Sequence, residues 1–181
     1  MLWPIIYIII LPAALTIIYN LLVIGRQRVK SAWSQIDVQL KRRHDLIPNL
    51  ITVAKGYMQH EHEIMEEVAT ARQIAAEASS IKDKEAAENV LSNALHSFFA
   101  VAENYPRLKA DRVMLSLHEE LVSTENRIAF ARQYYNEEVL RYNTRVETFP
   151  SSAVAKLFGF TRKEFFKIEA TGDRQAITAG F

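Results

Sequence analysis

Two hydrophobic patterns divide the chain. From Leu2 to Ile24 no side chain is charged and nearly all are apolar on every helical face, whereas from Val29 onward apolar residues recur at spacings of three and four. The first pattern predicts a helix surrounded by lipid, the second a helix with one buried stripe. At about 1.5 Å of rise per residue the uncharged stretch covers roughly 34 Å, enough to cross a hydrocarbon core of about 30 Å. Trp3, Tyr7 and Tyr19 lie near its two ends, where amphipathic rings suit the headgroup level. Pro12 removes a backbone hydrogen bond in mid-span and predicts a bend, and Asn20 is expected to face headgroups or a neighbouring chain. A cleaved leader would have a basic start and a shorter apolar core, so a retained anchor is expected.

The body reads as helical throughout. Val29, Trp33, Ile36, Leu40, Arg43, Ile47, Leu50, Ala54 and Tyr57 form one stripe, which Pro48 is expected to kink. Lys55-Gly56-Tyr57 reads as a helix end with Gly56 free to turn left-handed. Glu61, Glu63, Glu66 and Glu67 then load the first turns of a second helix, whose stripe is Ile64, Val68, Ala71, Ala75 and Ala78. The two stripes stay in phase, so one continuous helix to about residue 79 is the open alternative.

Asp83 is the expected N-cap of a third helix burying Val90, Leu91, Ala94, Leu95, Phe98, Val101 and Tyr105, with Pro106 ending it. A long pattern from about Asp111 to Thr148 runs through Met114, Leu117, Leu121, Thr124, Ile128, Ala131, Tyr135, Val139, Tyr142, Val146 and Phe149. Phe149-Pro150 stops it, and a short helix closed by Gly159 follows. The predicted fold is all-α: an N-terminal transmembrane helix continuing into an antiparallel four-helix bundle, plus a short C-terminal helix. Its expected divisions are an anchor at 1–25, a bundle at 26–169 and a disordered tail at 170–181.

Charge then orients the molecule. Arg26, Arg28, Lys30, Lys41, Arg42 and Arg43 follow the uncharged stretch, so the positive-inside bias predicts an N-terminus outside and a cytoplasmic body at a bacterial inner membrane. Arg26 to Lys55 is net basic and Glu61 to Glu77 net acidic, which suits helices packed side by side. That mutual neutralisation argues against a general nucleic-acid surface. The chain has no cysteine, which excludes disulfides and thiolate catalysis.

Three blocks carry a family resemblance. Ser31-Ala32-Trp33-Ser34-Gln35-Ile36-Asp37 through His44-Asp45-Leu46-Ile47-Pro48-Asn49-Leu50 resembles the first-helix signature of the LemA family. Thr124-Glu125-Asn126-Arg127-Ile128 through Gln133-Tyr134-Tyr135-Asn136 resembles its last-helix signature, extended by Arg141-Tyr142-Asn143-Thr144 and Phe149-Pro150. The resemblance implies a membrane-anchored antiparallel four-helix bundle with no established enzymatic reaction. Links of the family to magnetosome membranes and to membrane proteases imply membrane organisation or partner recruitment.

Side chains offer no catalytic set. No histidine follows a glutamate by three residues, as a dimetal bundle needs, and His60-Glu61-His62-Glu63 lacks the four-residue His spacing of a zinc protease. No enzyme, metal or cofactor is expected; His62 with Glu66, or His60 with Glu63, would make a weak surface metal site at most. The polar residues that stand out are Arg42, Arg43, Asn49, Glu125, Asn126, Arg132 and Tyr135, expected to form a structural network between the first and last helices. Arg42 or Arg43 is expected to pair with Glu125, since a buried arginine needs a carboxylate. Arg26, Arg28, Lys30, Phe158, Phe160, Phe165 and Phe166 are candidates for membrane or partner contact. Expected partners are the lipid bilayer, further copies of the chain and another membrane protein. Two functions follow: a self-assembling membrane scaffold, or a monomeric adaptor or regulator of another membrane protein such as a protease.

Overall fold

The computed structural model describes residues 3–166, with side chains from Ile10 onward, so the expected ring placements of Trp3 and Tyr7 and the expected tail at 170–181 lie outside the described residues. Among the described residues six helices follow one another: α1 (Trp3–Lys55), α2 (His62–Glu77), α3 (Ile81–Ala102), α4 (Pro106–Lys109), α5 (Arg112–Glu147) and α6 (Ser151–Leu157). There is no strand among the described residues.

α1 is one helix of 53 residues, about 80 Å long, and both Pro12 and Pro48 lie inside it. The uncharged stretch therefore passes into the body with no linker. Gly25 stands at the junction for a steric reason: a Cβ there would meet Tyr142 Cδ2 at 3.2 Å, so the bare backbone lets α5 lie close against α1. The helix does end at Lys55, which removes the continuous-helix alternative. Tyr57 N and Met58 N both return to Ala54 O, at 2.9 and 2.8 Å, and Met58 drops fully buried into the core. Gly56 does not turn left-handed; Gly159, closing α6, is the positive-φ glycine among the described residues, at 70°.

Side-chain contacts fix the directions. Tyr57 meets Asp111 at one end of the α1–α5 pair and Arg145 meets Leu21 O at the other, so the two long helices run antiparallel. Lys84–Asp37 and Arg43–Glu88 set α3 parallel to α1, and Tyr105–Glu61 sets α2 antiparallel to α3. The result is an up-down-up-down four-helix bundle, in which the α2–α3 hairpin covers only the half of α1 remote from the uncharged stretch.

Two apolar cores result. The remote core joins Ile47, Leu50, Ala54 and Met58 of α1 to Val68 and Ala71 of α2, Leu91 and Phe98 of α3, and Leu117 and Leu121 of α5. The near core joins Leu22, Val29, Ala32 and Ile36 to Ile128, Tyr135, Val139 and Tyr142, and is closed by Val154, Ala155, Phe160 and Phe166. Three expectations are corrected. Ser80, not Asp83, caps α3, accepting from Asp83 N at 3.0 Å. Val90 is exposed because the α3 stripe runs Ala87, Leu91, Ala94, Phe98 and Ala102, about 100° of helical rotation away. Phe149, at the end of the α5 stripe, is 83% exposed because the chain turns into α6 before any partner covers it.

Candidate functional site

The polar centre of the body is built on Glu88, an α3 residue that is 1% exposed. It continues the stripe of Leu91, Leu95 and Phe98 back by one turn, so helical phase alone carries it inward. Arg43 and His44, consecutive on α1, reach it from the other side: Arg43 Nη1 lies 3.4 Å from Oε2, and His44 Nε2 lies 2.7 Å from Oε1. The tautomer of His44 that carries its hydrogen on Nε2 can donate in this contact. Arg43 Nη2 also donates to Ser92 Oγ at 2.8 Å, and its Nη1 lies 3.1 Å from Glu125 Oε2 on α5. One guanidinium thus bridges three helices. Arg72 of α2 adds the fourth, donating to His44 O at 2.7 Å.

The other expected members fall elsewhere. Arg42 pairs with Glu120 at the surface, at 2.9 and 3.0 Å. Asn49 and Asn126 lie on exposed faces and join no network, because each is a step off its stripe. Tyr135 is buried but donates to Glu164 O at 2.9 Å, far along α5 from Arg43. The Arg132 guanidinium lies 4.7 Å from the centre of the Phe166 ring, and its buried Nε has no hydrogen-bond partner. Burial lowers its pKa, opposed by Glu125 and Glu88; an arginine starts so high that it stays charged.

A second polar feature went unforeseen. Asn136 and Asn143, seven residues apart on α5, each pair with backbone as one strand pairs with another. Asn136 donates to Phe166 O and accepts from Phe166 N, both at 2.8 Å; Asn143 donates to Lys163 O at 2.9 Å and accepts from Lys163 N at 2.8 Å. They hold residues 160–166 as an extended strap along the near half. The strap buries Phe160 and Phe166, while Phe165 and Phe158 remain 43% and 49% exposed. Of the basic candidates, Arg26 lies over the Phe160 ring at 5.2 Å, and Arg28 and Lys30 are exposed.

Neither feature presents a reactive atom to solvent. Among the described residues, no three of His, Asp and Glu converge as a metal-binding group would. Both features tie helices and the strap together, and Arg43, His44, Glu125, Asn136 and Asn143 stand in the blocks whose motifs resemble a known family. The LemA family model matches residues 32–181. The chain belongs to the LemA family. Two magnetosome proteins of Paramagnetospirillum magneticum, MamQ 1 and MamQ 2, are each 27% identical to it over 192 residues, covering 92% of this chain and 71% of theirs. The magnetosome protein MamQ of Magnetospirillum gryphiswaldense is 25% identical over 186 residues, covering 88% of this chain and 68% of its own. In this LemA protein α1 is long and apolar enough at its N-terminal end to cross a membrane, and the family match begins only after that stretch.

Proposed function

We propose that this LemA protein is a non-enzymatic membrane scaffold: α1 crosses the bilayer, the body stands in the cytoplasm, and copies assemble side by side to organise or shape the membrane. The observation that carries the reading is the unbroken helix from Trp3 to Lys55, which makes anchor and body one rod. A tether would leave the body free to turn, whereas a rod transmits any lateral contact between bodies to the bilayer. A second observation supports assembly. Beside the strap-free face of α1 and α5 runs an open groove lined by Ser31, Ser34, Val38, Phe130 and Tyr134, with Phe130 72% and Val38 62% exposed. The kinship with magnetosome proteins supports membrane organisation as the setting.

Particle mass in mild detergent tests this. The full chain should form a homogeneous multi-copy particle that Phe130→Glu reduces to monomer. A stable wild-type monomer would sink the scaffold and favour the adaptor. Orientation has its own test: a thiol introduced by Val122→Cys, an exposed position, should resist an impermeant reagent in intact cells and react after lysis.

A further inference from the structure

Crossing about 30 Å of hydrocarbon takes about 20 helical residues. In α1 the segment from Trp3 to Ala14 supplies only about 18 Å. The body begins directly beyond it, since Leu15, Ile18 and Leu22 pack into the near core. The turns that complete a span are therefore the turns that carry the α5–α6 corner.

Register fixes the corner's depth. Arg145 Nη1 lies 3.4 Å from Leu21 O, and Tyr142 packs beside Gly25. Phe149, two residues past the end of the antiparallel α5, then lies near the depth of about residue 18 of α1. The Phe158 ring lies 4.9 Å from that of Tyr19, at the same depth. At this corner Phe149 is 83% exposed, Leu157 71% and Phe158 49%, three large apolar side chains that the fold leaves largely uncovered. Beside Leu157 stands the exposed Lys156, whose long stem can lift its charge to the headgroups.

The geometry points to the α5–α6 corner as a second membrane contact: a wedge of Phe149, Leu157 and Phe158 embedded at the headgroup boundary of the leaflet from which α1 emerges. The occupant of this apolar surface is lipid, because the surface is continuous in depth with a helix that already lies in the bilayer. The inference rests on α1 crossing the membrane and deepens the proposed role. A wedge beside the span enlarges one leaflet only and stops the body from pivoting, so an array of such copies would bend the sheet it stands on.

The lack of native cysteine makes the test direct. Phe149→Cys, Leu157→Cys and Phe158→Cys, with Ile10→Cys and Val122→Cys as references, carry a nitroxide on the full chain in phosphatidylcholine and phosphatidylglycerol vesicles. Relaxation by oxygen, concentrated in lipid, is compared with relaxation by a water-soluble nickel complex. The corner labels should show an oxygen-to-nickel ratio several-fold above that of Val122→Cys. A lipid-like Ile10→Cys with water-like corner labels overturns the wedge and leaves the span standing. Water-like readings at both remove the span and the wedge together. Corner labels shielded from both agents would put a second copy of the chain on the surface and overturn lipid as its occupant.

Discussion

In the remote half, α1 and α5 meet the α2–α3 hairpin, and Leu50, Leu91 and Phe98 bury completely around the Glu88 cluster. In the near half the same two helices meet only the short α6 and an extended strap, which is held by two asparagine amides, the Tyr135 hydroxyl and the rings of Phe160 and Phe166. Apolar burial tolerates small shifts, because it is non-directional; an amide paired with one peptide unit does not. The remote half is therefore expected to unfold as a unit, and the near half to release its strap at fixed points without dissolving the helices beneath. In the proposed membrane setting, that division would let the part nearest lipid rearrange while the body keeps its shape.

Breaking the remote half should cost most. Phe98→Ala empties a fully buried site between the helices and should destabilise the body by about 3–5 kcal/mol, read from denaturant unfolding of the detergent-solubilised chain. Glu88→Ala should cost a similar amount, about 3–5 kcal/mol, because it takes the buried carboxylate from His44 and leaves the buried Arg43 only Ser92 and the half-exposed Glu125. Removing Glu125, which faces the same guanidinium but is itself half exposed, should cost under about 1 kcal/mol. Equal losses from the two glutamate variants would show that Arg43 is not held mainly from α3.

The near half should respond locally. Asn143→Ala removes two hydrogen bonds to Lys163 and should cost about 1–3 kcal/mol. Backbone amide exchange should accelerate between residues 160 and 166 while the remote core keeps its protection. Faster exchange throughout α2 and α3 would contradict the separation of the halves.

These two halves also differ in how far the chain's pattern discloses them. The α5 stripe from Met114 to Tyr142 is legible because every member obeys one period and every one is buried. Arg43 was recognisable as a buried cation in need of an acid, and the structure brings Glu125 to 3.1 Å from it. Its deeper partner was obscured because Glu88 is a charged residue at an apolar stripe position; extending Leu91, Leu95 and Phe98 back by three would have found it. The strap had no such signal. An extended segment fixed by side-chain amides shows neither helical period nor strand alternation, and the seven-residue spacing of Asn136 and Asn143 gains meaning only once their acceptors are placed. Phe158, Phe160, Phe165 and Phe166 read alike as a cluster, and only packing separates the two buried rings from the two exposed ones.

Acid should distinguish the halves with the smallest effect. At the remote end Asp111 caps α5, accepting from Val113 N at 2.8 Å and Met114 N at 3.0 Å, and takes the Tyr57 hydroxyl at 2.9 Å. The Met114 N–H, then the Tyr57 hydroxyl, hold its carboxyl below the ordinary value. A depressed folded pKa gives stability that is full above the unfolded value of about 3.9 and is lost as pH falls through the folded value. The thermal midpoint of the wild-type chain should thus drop on an acid limb below about pH 4, and Asp111→Asn, which can still accept at the cap but cannot titrate, should flatten that limb. The asparagine amides that hold the strap do not titrate, and its carboxylate contacts, Glu147 with Arg162 and Glu164 with Lys82, are exposed, so its exchange rates, corrected for intrinsic pH dependence, should follow this limb only weakly in both proteins. Superposable acid limbs for wild type and Asp111→Asn would assign the loss to another carboxylate and leave the cap of α5 indifferent to pH.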